Sequence, residues 1–341
     1  MPGSFWRPAG ERKHPLEKLR VRDGSKVQKN EDLGTPQNTD LPPLAGASSR
    51  LAAFDEHYRL LFSIAYRMTA SVADVEDLLQ ETFIRWQQAP QSEIRSSQAF
   101  LVTILTRLCI NHLQSARIRR EQYVGQWLPE PIASDPESDP SLAAAVYDSL
   151  SMAFLVLLER LTPVERAVFV LREVFDYEYP DIARTLGRSQ AGCRQLFRRA
   201  QQNIGDARRR FTASALERRQ LLERFLQAAR GQDMTGLLDL FSSDVVLRSD
   251  GGGKAVAVPN LIQGAENVAR AILGALGRLV PKNLVSRVTQ MNAAPAIIGY
   301  LDRKPYSVTS LGAGEGHILE IYVVTNPDKL SHLPELPADS L

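Results

Sequence analysis

The segment from Tyr179 to Ile204 carries side chains that could read the bases of DNA. In its second half, arginines and glutamines occupy the positions between apolar residues that recur at helical spacing, so they share an outward face. Arginine can donate two hydrogen bonds to guanine, and glutamine can donate one to adenine and accept one from it, while further arginines neutralise phosphates. The candidate DNA-binding residues of this segment are Ser189, Gln190, Arg194, Gln195, Arg198 and Arg199.

The residues around these side chains predict two helices joined by a tight turn. Pro180 suits the first turn of a helix, and Gly187 readily takes the left-handed conformation that such a turn needs. Ser189 then supplies an oxygen that caps the second helix. We therefore predict a helix-turn-helix. A solvent-exposed pair of amphipathic helices is the alternative, which the glycine turn and the one-sided charge disfavour.

A second group of charged side chains lies in a run of three predicted helices between Leu51 and Arg120. Carboxylates cluster near the start of the middle helix, where they suit the helix dipole and form an acidic face; an ordinary solvated surface is the alternative. The third helix ends in groups suited to phosphates and splayed bases. These candidate DNA-binding residues are Arg107, Asn111, Arg117, Arg119 and Arg120.

Composition limits the classes of protein that fit. The 341 residues are 44% hydrophobic, which is enough for two or three packed domains. A net charge of +2 conceals a local imbalance, because the segment from 184 to 210 contains eight arginines and only one acidic residue, Asp206. The two cysteines predict neither a disulfide framework nor a metal site. With no signal peptide and no apolar run of membrane length, we expect a cytoplasmic protein without a membrane partner or a cofactor.

A proline-rich stretch between residues 121 and 141 lacks the regular spacing of apolar residues found in helices and strands, which indicates a linker. Trp127 and Leu128 are unusual in such a tether, because leaving them in water costs free energy. We expect this pair to dock on another part of the chain.

After Arg210 the pattern changes to helices followed by alternating β-branched runs, one of them over residues 255–258. Such an order predicts an α+β domain with a curved antiparallel sheet. The three glycines from Gly251 to Gly253 predict a tight turn, since no helix with Lys-Ser or Lys-Thr follows them. The expected divisions are a disordered tail over 1–48, helical domains over 49–120 and 142–212 around the 121–141 linker, an α+β domain over 213–327 and a tail over 328–341.

The combination resembles bacterial sigma-70-type factors of the extracytoplasmic function (ECF) group. The resemblance covers DVEDLLQETFIRW (74–86), the basic helix that follows and the helix-turn-helix, in order and spacing. WLPEP (127–131), SDGGGK (249–254) and NPDKL (326–330) are similar to motifs of the branch with a fused SnoaL-like carboxy-terminal domain. The implied fold is multidomain: two all-α domains, the second with the helix-turn-helix, and an α+β SnoaL-like cone.

The resemblance implies an alternative sigma factor that directs core RNA polymerase to promoter DNA. In the family, the acidic helix binds the β′ clamp helices, and the polymerase β subunit is a further partner. The first domain melts and captures the minus-ten element and the helix-turn-helix reads the minus-thirty-five element. The carried-over polymerase contacts are Asp74, Glu76, Asp77, Gln80 and Glu81.

In the same branch the extra domain is a built-in regulator that contacts the linker. The residues implied in that contact are Trp127, Leu128, Pro129, Glu130, Asp250, Gly251, Gly252, Gly253, Lys254, Asn326, Pro327, Asp328 and Lys329. A small ligand for this domain is left open.

Two other classes of protein compete with this interpretation. An isomerase or cyclase fused to a DNA-binding module would need a carboxylate with tyrosine or histidine in an apolar pocket. Its available residues are Asp250, Tyr300, Tyr306, His317 and Tyr322, whose spacing fixes no convergent pair. A dimeric repressor would explain the helix-turn-helix but neither the acidic helix nor the first domain. We therefore expect no catalytic residues.

Overall fold

The structure is a computed structural model that describes residues 45–90, 92, 94–121, 123–133 and 149–337. Within the helices, the side chains of 45–48, 116–121 and 206–209 lie outside that description. Most of the predicted tail over 1–48 also lies outside it, while Ala45 already begins the first described helix.

Three helices form the first unit: α1 Ala45–Thr69, α2 Val72–Gln88 and α3 Ser97–Glu121. The side chain of Ser71 caps α2 by accepting from the amide of Asp74. Their apolar stripes meet in one core, with Trp86 of α2 packed beside Phe100 of α3. The three predicted helices are therefore present.

The second unit contains α4 Met152–Leu158, α5 Pro163–Phe169 with a π-helical turn over Val170–Val174, α6 Tyr179–Leu186 and α7 Gln190–Arg210. Thr162 and Glu165 form the capping box of α5. Gly187 ends α6 at a φ of 63°, and the hydroxyl of Ser189 accepts from the amide of Gly192. The helix-turn-helix therefore has the predicted turn and cap.

The carboxy-terminal part combines helices with a sheet. Helices α8 Ala215–Arg230, α9 Met234–Leu240 and α10 Ala265–Arg278 accompany strands β1 Phe241–Asp250, β2 Ile262–Gln263, β3 Val285–Met291, β4 Ala294–Leu301, β5 Lys304–Gly314 and β6 His317–Val324; a short helix, α11 Pro327–Leu330, follows. The described strands lie in the order β2, β1, β6, β5, β4, β3.

Two details of the sheet differ from the prediction. The sheet is mixed, because β1 and β6 pair in parallel while the other pairs are antiparallel. Residues 255–258 form no strand; they follow the glycine turn, and the short β2 pairs with β1 instead. Local β-branched composition could not fix either point, because each depends on which distant strand lies alongside β1.

The two faces of the sheet bury different partners. Alternate residues such as Ile321 pack against α8, α9 and α10, whereas Tyr322 faces the opposite side. On that side lie Leu128 of the linker, Met152 of α4 and Leu333 of the carboxy-terminal tail. The sheet therefore supplies the platform on which the linker and tail meet.

Candidate functional site

The acidic residues of α2 lie along a partly exposed helix face. Glu76, Asp77 and Gln80 are exposed. Asp74 is half-buried, 3.2 Å from Nε2 of His112 on α3, and Glu81 pairs with the exposed Arg85 one turn later at 2.7 Å. This face can present negative charge to a basic partner.

The candidate DNA-reading residues of α7 and its cap share an exposed surface. Ser189, Gln190, Arg194, Gln195, Arg198 and Arg199 are all exposed, whereas Cys193, Ala200 and Ile204 on the opposite face are buried. The Arg194 guanidinium lies 5.1 Å from the centre of the Tyr179 ring. A planar cation on an aromatic face keeps its donor edges available for a base.

The basic end of α3 is only partly described. Asn111 is exposed, while the side chains of Arg117, Arg119 and Arg120 lie outside the described ones. Arg107 turns towards the helix-turn-helix: its Nε donates to the carbonyl of Thr185 at 2.8 Å and its Nη2 to that of Arg184 at 3.3 Å. In this arrangement Arg107 binds the carboxyl end of α6, where carbonyls lack helical partners.

Asp250 lies at the centre of the contact between the carboxy-terminal domain and the linker, and it is fully buried. One carboxylate oxygen accepts from the Tyr123 hydroxyl at 2.6 Å and from the Gly252 amide at 3.0 Å. The other accepts from the Leu128 amide and from Nζ of Lys329, both at 2.8 Å. A buried carboxylate needs such compensation, since its charge is otherwise costly to desolvate.

Lys329 completes the contact from the NPDKL motif. Its ammonium also donates to the carbonyl of Leu128 and lies 4.1 Å from the centre of the Trp127 ring. Burial and the neighbouring Asp250 carboxylate raise the pKa of the Tyr123 hydroxyl, which therefore remains a donor. Trp127 is therefore half-buried and Leu128 is buried, so neither is left in solvent.

The SDGGGK turn and the NPDKL motif touch each other directly. Gly252 and Gly253 have φ values of 61° and 71°, and a side chain at Gly252 would collide with the amide of Asn326. Asn326 donates to the Tyr123 hydroxyl at 2.9 Å, and Lys254 pairs with Asp328 at 2.6 Å on the surface. The predicted linker, turn and tail motifs therefore lie together, with Gly251 in the turn and Pro327 exposed beside it.

A second contact surrounds Glu130, next to the buried Pro129. Its carboxylate accepts from the Val72 amide at 2.6 Å and lies 3.2 Å from Nδ1 of His332. Its carbonyl accepts from the Tyr66 hydroxyl, to which Asn292 donates at 2.6 Å. Burial raises the pKa of Tyr66, so this hydroxyl stays protonated. The linker is therefore fixed to the first helical unit and to the sheet domain together.

Sequence reasoning missed four participants in these contacts. The candidates did not include Tyr66, Tyr123, Asn292 and His332. Each bonds to a residue more than sixty positions away in the sequence, and the spacing of neighbouring residues does not mark such a side chain. Two signals were available: His332 follows NPDKL closely, and asparagine is common in a hairpin turn such as that between β3 and β4.

The residues considered for catalysis do not gather at one site. The carboxylate of Asp250 is already bonded in the contact with the linker. Asp250 pairs with Val324 at the end of β6, whereas His317 lies at the start of that strand. Seven residues of strand separate these ends by about 23 Å. Tyr300 and Tyr322 are buried on the linker-covered face, and Tyr306 is half-buried on β5. None of the described helices combines the length and apolar character needed to span a membrane.

Comparison with known proteins identifies the two helical units. Residues 53–119 match the family model for Sigma-70 region 2, and residues 151–203 match that for Sigma-70, region 4. The chain is 32% identical over 297 residues to the ECF RNA polymerase sigma factor SigJ of Mycobacterium tuberculosis, covering 84% of this chain and 94% of that protein. It is 31% identical over 284 residues to the probable ECF sigma factor SigI of the same organism, covering 83% and 95%.

The crystal structure of Mycobacterium tuberculosis SigJ has a similar fold. It aligns with a TM-score of 0.66 at 30% identity, covering 83% of this chain and 98% of that one. The expected fold class, helical domains followed by a domain containing a sheet, is confirmed by this match.

Proposed function

The chain belongs to the ECF RNA polymerase sigma factors, and from this premise we propose how its surfaces divide the work of promoter recognition. As an alternative sigma factor it directs core RNA polymerase to promoter DNA. The acidic face of α2 binds the β′ clamp helices, and α7 reads the minus-thirty-five element. The observation that carries this division is that the exposed carboxylates and the exposed arginines lie on separate helices, α2 and α7.

Opposite charges on separate helices suit the two partners. Glu76 and Asp77 supply negative potential for a basic polymerase surface, while Arg198 and Arg199 supply positive potential for phosphates. The basic end of α3 and the exposed Asn111 contact the minus-ten element. Each contact alone is weak, and the linker raises the effective concentration of the second once the first is made.

The carboxy-terminal domain regulates this process by holding the linker. Asp250 and Lys329 fix Leu128, and His332 and Asn292 fix the segment around Glu130. The linker sets the separation of the two DNA-binding units, so a domain that binds it biases the factor towards one arrangement. A ligand that loosens this hold would act as the signal. The domain boundaries predicted above and a cytoplasmic location are part of the same proposal.

Binding to core polymerase tests the assignment of α2. We expect charge reversal at both Asp77 and Glu81 to abolish association while the helical content, measured by circular dichroism, stays unchanged, because neither side chain is buried. Reversal of Glu223, an exposed carboxylate on α8 that pairs with Arg219 one turn earlier, is the matched control. A folded double variant that still associates with polymerase would defeat the assignment.

A further inference from the structure

Glu130 lies where the linker crosses the turn between α1 and α2, and all of its polar groups are bonded there. Its amide donates to the carbonyl of Ala70 at 2.9 Å, and its carbonyl accepts from the Tyr66 hydroxyl. Its carboxylate accepts from the Val72 amide at 2.6 Å. Only 8% of the side chain is exposed, so water competes poorly for these contacts.

The carboxylate of Glu130 acts on the first turn of α2. The first amides of a helix have no partner inside the helix. Ser71 satisfies that of Asp74, and Glu130 satisfies that of Val72. A carboxylate at this position also interacts favourably with the positive end of the helix dipole. Glu130 therefore helps to order the turn that leads into Glu76 and Asp77.

The carboxy-terminal domain holds Glu130 from its other side. Nε2 of His332 lies 2.7 Å from the carbonyl of Pro131, to which it donates, and Nδ1 lies 3.2 Å from the Glu130 carboxylate, which it attracts when the imidazole is protonated. Asn292, at the turn between β3 and β4, donates to Tyr66 and exchanges hydrogen bonds with Ile132. Contacts thus run from the tail and the sheet, through Glu130, to the start of α2.

We propose that Glu130 is a positioning residue for polymerase binding. It orders the start of α2 and so presents the acidic face, and the carboxy-terminal domain tunes polymerase affinity by holding or releasing it. Regulation then reaches the polymerase contact as well as the separation of the DNA-binding units. The proposal rests on the polymerase surface assigned to α2 above.

Three full-length variants test this role in titrations against core polymerase. Glu130→Ala should weaken binding roughly fivefold, as expected for the loss of a helix cap. It should also speed amide hydrogen exchange at the start of α2. Glu130→Gln keeps an oxygen that can accept from Val72 and should restore most of the affinity and protection. Glu335→Gln, at an exposed carboxylate of the tail, is the matched control and should bind as the unchanged chain does.

Two results would overturn the role of Glu130. One is a folded Glu130→Ala variant with unchanged polymerase affinity, and the other is a Glu130→Gln variant as weak as Glu130→Ala. If Glu130→Ala does not fold, His332→Ala provides the decision, since it leaves Glu130 in place. It should still speed exchange in the first turn of α2, and unchanged exchange there would contradict the coupling.

Charge reversal of Asp77 in the same titration separates this inference from the proposed function. If Asp77→Lys binds polymerase more weakly while Glu130→Ala binds normally, only the role of Glu130 is contradicted. If Asp77→Lys binds polymerase normally, the assignment of α2 as the polymerase-binding surface is contradicted.

Discussion

At the scale of single residues, two lysine–carboxylate pairs join the same two motifs in opposite environments. Lys329 and Asp250 meet at 2.8 Å with 10% and 0% of their side chains exposed. Lys254 and Asp328 meet at 2.6 Å with 58% and 63% exposed. Water screens the second pair, whereas removal of one partner from the first leaves a buried charge without compensation.

We expect Asp250→Ala to lower the free energy of unfolding by about 3–5 kcal/mol, because Lys329 stays buried while Leu128 and Tyr123 lose their acceptor. Asp328→Ala removes a carboxylate from the exposed pair and should cost about 0–1 kcal/mol. Denaturant unfolding of the two variants measures the difference. Equal losses would contradict a central structural role for Asp250.

At the scale of elements, the sequence predicted most of what local chemistry determines. Pro180, Gly187 and Ser189 act at the positions that their backbone preferences favour, and the helices of the first unit follow their apolar periods. The parallel pairing of β1 with β6 and the orientation of Arg107 depend on distant parts of the chain, so no local pattern encodes them. The motifs around Asp250 were found through resemblance, whereas their hydrogen bonds required the structure.

Helix α7 is the element proposed to read the minus-thirty-five sequence. Arg194→Ala and Arg198→Ala should each weaken binding to the upstream promoter element by about 1–3 kcal/mol, because both side chains are exposed on α7. Gln202→Ala, at an exposed position one turn beyond Arg198, serves as the comparison. Binding to matched and scrambled elements decides the role. Equal losses on both sequences would make these arginines phosphate contacts without base readout.

At the scale of the whole molecule, the two helical units lie in direct contact. Gln98 donates to the hydroxyl of Tyr177 at 3.3 Å, the hydroxyls of Thr103 and Thr185 are 3.4 Å apart, and a continuous core joins the units. Elements named for positions minus ten and minus thirty-five are centred about 25 base pairs apart, which is about 85 Å at about 3.4 Å per pair. Units in contact are too close together to reach both elements at once, so we expect promoter binding to require their separation.

A reversible cross-link between the units tests that requirement. Thr103→Cys with Thr185→Cys should form a disulfide under oxidation, because the two hydroxyls are adjacent and the native Cys109 and Cys193 are buried. The oxidised chain should lose transcription from promoters with both elements and regain it on reduction. Each single substitution controls for the cysteine itself. Full transcription by the cross-linked chain would show that the units need not separate.

Transcription from a promoter library by core polymerase tests whether the chain directs polymerase to promoters and whether its carboxy-terminal tail restrains it. It compares no added chain, the full chain and a chain ending at Leu330, which lacks the contacts of His332 with Glu130 and Pro131. We expect initiation only with the chain present, at promoters that share minus-ten and minus-thirty-five elements. The shortened chain should give roughly fivefold more transcript at saturating core polymerase, because a tail contact worth about 1 kcal/mol no longer holds the linker and the two helical units separate more readily. Saturating polymerase keeps the weaker polymerase binding expected from loss of His332 from limiting initiation. If transcripts are the same with and without the chain, it does not direct promoter recognition.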